Sequence, residues 1–173
     1  NVSFPNAVPV LQSVEAMVDQ PGGAIDFISS NALVTAMAYR YLLAHGKNEE
    51  ALSTLKLRLT ALMASLLMSQ NADGGWGWHV LLLRSDDSGK PVVDVPTSNP
   101  YMTAQSLEGL VEMKKAGLPV PQNAVRAALY SLVSAVDSDG LWSVEKIAFW
   151  EGDTLEGQLG ISAGIFHVMA SAM

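Results

Sequence analysis

Residues 52–78 read LSTLKLRLTALMASLLMSQNADGGWGW, a long helical pattern that runs straight into a glycine-rich turn with tryptophans. Leu52, Leu55, Leu59, Leu62, Met63, Leu66 and Leu67 step by threes and fours, the spacing that stacks side chains on one face of an α-helix. Asp73-Gly74-Gly75-Trp76 then ends the pattern. The same design returns 66 residues later, at position 139 against 73. Val125, Ala128, Leu129, Leu132, Val133 and Val136 keep helical spacing, and Asp139-Gly140-Leu141-Trp142 follows directly. Asp and Gly permit a turn after a helix, and a Trp folded back from it covers the apolar ends of neighbouring helices. A ligand-stacking role for these tryptophans is the weaker reading, because rigid glycines beside them suit packing.

Four further runs show the helix period: Leu11, Val14, Val18; Leu33, Ala36, Met37, Tyr41, Ala44; Ala104, Leu107, Leu110, Val111; and Ile161, Ile165, Val168, Met169. Six helices are expected, separated by Pro21-Gly22-Gly23, His45-Gly46, Asp73-Gly74-Gly75, Asn99-Pro100, Gly117 with Pro119 and Pro121, and Asp139-Gly140. Residues 80–84 and 92–95 flank the polar turn Ser85-Asp86-Asp87-Ser88-Gly89-Lys90 and are taken as a loop excursion rather than a paired hairpin. The expected fold is all-α, antiparallel helical hairpins in one domain over residues 1–173.

Composition narrows the function classes. Apolar residues make up 49% of the 173 and charged residues only 16%, with mean hydropathy +0.24, which excludes a disordered chain. Seventeen acidic against ten basic residues give a net charge of −7, and no Lys/Arg cluster is present to neutralise successive phosphates, so no nucleic-acid partner is expected. With no cysteine, disulfides, thiolate metal sites and cysteine nucleophiles drop out. Residues 155–173 are apolar but interrupted by Glu156, Gln158, His167, glycines and serines, so a soluble, not membrane-spanning, chain is expected. The start at Asn1, without a basic-then-apolar leader, is read as that of a segment excised from a longer chain.

The segment Gln70-Asn71-Ala72-Asp73-Gly74-Gly75-Trp76-Gly77-Trp78 resembles the Gln-to-Trp turn of the α/α-toroid folds: terpene cyclases, prenyltransferase β-subunits and the thioester domain of alpha-2-macroglobulins and complement. Ser98-Asn99-Pro100-Tyr101-Met102-Thr103-Ala104, followed by Ala116-Gly117-Leu118-Pro119-Val120, is similar to the bacterial alpha-2-macroglobulin-like proteins. In that family a reactive segment reading approximately P-Y-G-C-x-E-Q-T-T-S opens a helix. Pro21-Gly22-Gly23-Ala24-Ile25-Asp26-Phe27-Ile28-Ser29-Ser30 stands in the corresponding place. A thioester needs a cysteine sulfur and a glutamine acyl carbon three residues apart. Here those two positions hold Ala24 and Phe27, a methyl and a benzyl group, and neither can form the bond. The resemblance implies about half of an α/α toroid, in a much larger secreted, periplasmic or envelope-anchored protein that traps or restrains proteases without covalent capture. Its partners would be proteases or neighbouring domains of the same chain.

The competing reading is a toroid enzyme acting on polysaccharide or isoprenoid substrates. Its candidate acids are Asp86-Asp87, Asp137 with Asp139, and Glu151 with Asp153 and Glu156, and Trp76, Trp78, Trp142 and Trp150 are its candidate sugar platforms. No Asp-x-Asp-Asp string of a terpene cyclase occurs, and a prenyltransferase zinc site would require cysteine. His45, His79 and His167 lack any local metal-ligand spacing, so neither metal nor other cofactor is expected. His45 is expected at a helix C-terminus, His79 as a loop hydrogen-bonder and His167 in or near a core. Ser29 and Ser30 are expected as helix N-caps, and Phe27 as a packing residue. The last helix, with Ile161, Ile165, Phe166, Val168 and Met169, is expected to present a wide apolar arc for self-association or for a missing half.

Overall fold

The computed structural model describes residues 24–45, 48–78, 82–85, 88–94, 97–142 and 155–173. The expected first helix, Pro21 to Gly23, His79, Asp86, Asp87, Trp150, Glu151 and Asp153 lie outside them. Five helices are described: α1 (Ile25–His45), α2 (Glu49–Met68), α3 (Pro100–Lys115), α4 (Gln122–Ser134) and α5 (Leu155–Ala172). Each coincides with an expected run. Between α2 and α3, β1 (Leu82–Ser85) and β2 (Pro91–Asp94) pair antiparallel with Leu83 opposite Val93. The loop reading of this excursion is therefore corrected: Gly89, at φ 78°, supplies the left-handed residue that lets the chain reverse between the strands. The fold is otherwise all-α.

The ends of the helices follow local chemistry. Asn48 caps α2, its Oδ1 accepting from the Ala51 N–H at 3.1 Å, with Glu49 and Glu50 in the positive first turn. Asn99 caps α3, accepting from the Tyr101 and Met102 N–H groups, and Pro100 occupies the first turn, where its missing N–H costs nothing. At the other end of α3, Gly117 takes φ 84°, the Leu118 N–H reaches the Met113 carbonyl and the Gly117 N–H reaches that of Lys114. That double bond pattern closes the helix while Leu118 tucks into the core. His45 ends α1 as expected, with its ring 4.9 Å from Tyr41.

Packing centres on α3, which contacts α1, α2, α4 and α5. Ser29 meets Ser106, Ser30 meets Gln105 and Arg40 meets Glu112, so α1 and α3 run parallel. Their approach is close: a Cβ on Gly109 would lie 3.2 Å from the Ala32 Cβ. Hence the buried face of α1 is Ile25, Ser29, Ala32, Ala36 and Tyr39. Of the run read from the sequence, Ala36 is on this face and Leu33 is half-buried, whereas Met37, Tyr41 and Ala44 are exposed, because a tight crossing selects small residues there. Ser29 and Ser30 are likewise not caps. They sit within α1, Ser29 buried with its hydroxyl 2.8 Å from that of Ser106.

On α5, Ile161, Ile165, Val168 and Ala172 are buried, and α5 packs on α3. The expected open arc is thus largely covered by the chain itself, leaving Leu159 and Phe166 exposed and Met169 half-buried. His167 is exposed rather than in a core, since it falls off that 161–165–168–172 stripe. Gly160 and Gly164 are exposed helix-interior glycines with nothing within 4 Å of a built Cβ. Gly160→Ala is expected to stabilise the domain by about 1 kcal/mol through helix propensity alone, read as a raised urea midpoint. An unchanged or lowered midpoint would count against an undistorted, open helix there.

Among the described residues one helix, α2, is long and apolar enough by length and composition to cross a membrane. Its Leu55, Leu59 and Leu66 are buried in the shared core.

Candidate functional site

The two Asp-Gly-x-Trp turns have one geometry. The Trp76 indole N–H donates to the Leu66 carbonyl at 2.8 Å, and that of Trp142 donates to the Leu132 carbonyl at 2.7 Å, each ten residues back in the preceding helix. Both rings are fully buried. Within the turns, Asn71 N–H to Gly75 O and Gly74 N–H to Asn71 O are matched by Asp137 N–H to Leu141 O and Gly140 N–H to Asp137 O. Gly74 and Gly140 both adopt positive φ, 88° and 78°. Each Trp main-chain N–H then donates to a hydroxyl on the following helix, Thr103 of α3 or Ser162 of α5. The tryptophans thus bond the preceding helix through the indole and the following one through the main chain, at the first turn of α3 and at mid-helix in α5.

The first turn does more than the second. Gln70 Nε2 donates to the Gly74 carbonyl and to Ala124 of α4, tying the turn to a second hairpin. Trp76 O accepts from Asn99 N–H at the start of α3, and Trp78 O accepts from Ile25 N–H at the start of α1. The half-buried Trp78 ring stacks on Tyr101 with centroids 6.2 Å apart. Asp73 Oδ1 accepts from Gly75 N–H and from the Ser98 hydroxyl, and a second glycine is required because a Cβ on Gly75 would lie 2.6 Å from Ser98 and 2.7 Å from the Ser131 hydroxyl. In the second turn Leu141 replaces that glycine.

Of the acids read as catalytic candidates, Asp137, Asp139 and Glu156 lie among the described residues. Asp137 Oδ1 accepts from the N–H groups of Asp139 and Leu141, so it builds its own turn; Asp139 is exposed; and Glu156 is exposed in the first turn of α5. Asp73 lines a hollow of about 230 Å3 with Ser98, Asn99, Tyr130, Ser131 and Ser134, where Asp73, Ser98 and Asn99 are all engaged in turn or cap bonds. Among the described residues no three His, Cys, Asp or Glu side chains gather as metal ligands.

Ala24 and Phe27 stand at the start of α1. The Ala24 carbonyl accepts from Ile28 N–H, so Ala24 is the residue from which the helix departs and Phe27 lies in its first turn. Phe27 is half-buried and outside the core cluster; the core position is taken by Ile25. The expected packing role of Phe27 is corrected accordingly.

Glu112 of α3 joins Arg40 of α1 and Lys115 in a charged cluster. Burial works to raise the Glu112 carboxyl, but hydrogen bonds from Lys115 and Arg40 outweigh it and hold the group below its ordinary value of 4.5. A depressed carboxylate stabilises the fold above the unfolded value and loses that contribution as pH falls through the folded one. Because Arg40 and Lys115 are each nearly half exposed, we expect it to be worth at most about 1 kcal/mol. Glu112→Gln should lower stability at neutral pH and flatten the acid limb as pH falls below the ordinary value of 4.5; parallel acid limbs in both proteins would contradict this.

The sequence matches no protein-family model and no curated protein.

Proposed function

We propose that this chain is about half of an α/α toroid and serves as a non-catalytic module of a larger alpha-2-macroglobulin-like protein, periplasmic, extracellular or envelope-anchored, that restrains proteases without a covalent thioester. The observation that carries the reading is the duplicated turn: helix, Asp-Gly-x-Trp, indole bonded ten residues back, next helix bonded through its hydroxyl. A repeat of this kind stacks hairpins side by side, and α1, α3 and α5 adjoin in the order a toroid requires of one of its layers, with α2 packed on α1 and α4 on α3. The resemblance of residues 21–30 to a reactive segment supplies the family. Ala24 and Phe27 at the helix start supply the loss of chemistry, since neither side chain carries a sulfur or an acyl carbon.

The enzyme reading is weaker because its candidate acid Asp137 is committed as a turn acceptor. The test uses the natural full-length protein. Antibodies against this domain should detect a product of more than about 1,000 residues, a multidomain size. Challenged with protease, that product should retain the enzyme on gel filtration yet release it on denaturation, with no mass gain from methylamine. A product close to this domain in size, a denaturation-resistant adduct, or hydrolysis of a polysaccharide would overturn the reading.

A further inference from the structure

The free side of α3 forms the floor of a cleft of about 320 Å3, walled on one side by Leu33 of α1 and on the other by Ile161, Ile165 and Val168 of α5. The room comes from Gly160 and Gly164, which line it and hold open space where side chains would otherwise stand. Its polar groups belong to α3: Tyr101, Gln105 and Glu108. Among the described residues, no lysine, arginine or histidine lines the cleft. Glu108 is half-buried and, among the described residues, has no ion-pair partner. Gln105 Nε2 donates to the Ser30 hydroxyl at 2.8 Å, while its Oε1 is buried without a hydrogen-bond partner. Aliphatic walls and a single uncompensated carboxylate therefore meet in a space the size of a small-molecule site.

We propose that this cleft binds an alkylammonium group, a short methylene chain ending in a primary ammonium. The chain lies along Gly160 and Gly164 and against Leu33, the lining residues that still face water, with Ile161, Ile165 and Ala104 buried beneath it, and the ammonium sits at the Glu108 carboxylate. An alkyl carboxylate would meet Glu108 as a like charge, in a protein of net charge −7. A neutral alkanol would fill the space without engaging that charge. The same chemistry is offered by a free amine or by a lysine side chain of another protein. The cleft lies wholly within α1, α3 and α5, so this binding does not depend on the toroid reading.

Titration calorimetry of the full chain with hexylammonium, hexan-1-ol and hexanoate tests it, with amide shifts of Glu108 and Gly164 followed by NMR. Hexylammonium should bind at least about tenfold more tightly than either comparator, a difference of about 1.4 kcal/mol. Glu108→Gln should erase that preference, and Gly164→Leu, which fills open space and leaves the fold intact by circular dichroism, should abolish binding. Hexan-1-ol binding as tightly as hexylammonium, an unaltered preference in Glu108→Gln, or unaltered binding in folded Gly164→Leu would each overturn the proposal. Nα-acetyl-lysine N-methylamide separates the sources: tighter binding than hexylammonium identifies a protein lysine and weaker binding a free amine. Failure of both overturns the assignment.

Discussion

Trp76→Ala is expected to be among the most damaging single changes in this domain, costing about 3–5 kcal/mol from the cavity alone. Removing the indole also takes from the Leu66 carbonyl its shorter hydrogen bond, at 2.8 Å, and leaves it only the Ser69 hydroxyl at 3.1 Å. Loss of one hydrogen bond of two adds about 1 kcal/mol, and the total is a large share of the stability of a typical domain, about 5–15 kcal/mol. Trp142→Ala should cost less. Its indole makes the same bond to Leu132, but its neighbour Phe166, edge-on at 4.8 Å, is already more than half exposed and can move in, whereas the Trp76 turn holds the starts of both α1 and α3. Trp76→Phe separates the two effects by keeping most of the ring while deleting the donor. Urea titrations followed by far-UV circular dichroism give the order; a Trp142→Ala cost equal to or above that of Trp76→Ala would show that the two turns carry equal weight.

The duplicated turn was legible because its determinants are local. Asp, Gly and Trp lie within four residues, and the indole's acceptor lies only ten residues back. Helix positions were legible for the same reason, as were the Asn99-Pro100 entry of α3 and the His45 end of α1. What the pattern misplaced depends on distant partners. Ser29 has the composition of a cap, yet its partner Ser106 is 77 residues away, and nothing local distinguishes a capping hydroxyl from one that bridges two helices. The buried face of α1 was misread for a related reason. At a crossing close enough to need Gly109, size rather than hydrophobicity selects Ala32 beside Ala36, so that of the run read from the sequence Ala36 lies in the crossing while Met37, Tyr41 and Ala44 fall outside it. The cleft beside Glu108 was invisible too, because it is made of what Gly160 and Gly164 lack.

Gly74→Ala should exceed Gly140→Ala in cost by a wide margin, although both glycines hold the same place in the repeat and both have positive φ. At Gly140 an added Cβ meets nothing within 4 Å, so only the left-handed backbone is penalised, about 1–2 kcal/mol. At Gly74 the same Cβ would lie 2.3 Å from the Ala127 carbonyl oxygen and 2.5 Å from its carbon. Those are main-chain atoms in the middle of α4, and no rotamer change relieves them. The turn must lift off α4, breaking the Gln70 bond to Ala124 and loosening the seat of Trp76. We expect a loss of at least about 3 kcal/mol, within the range that strain and lost core packing produce together. Paired chemical denaturation of the two variants reads the difference directly. Equal losses would mean that backbone conformation accounts for both glycines and that the turn does not press on α4 as closely as its geometry implies.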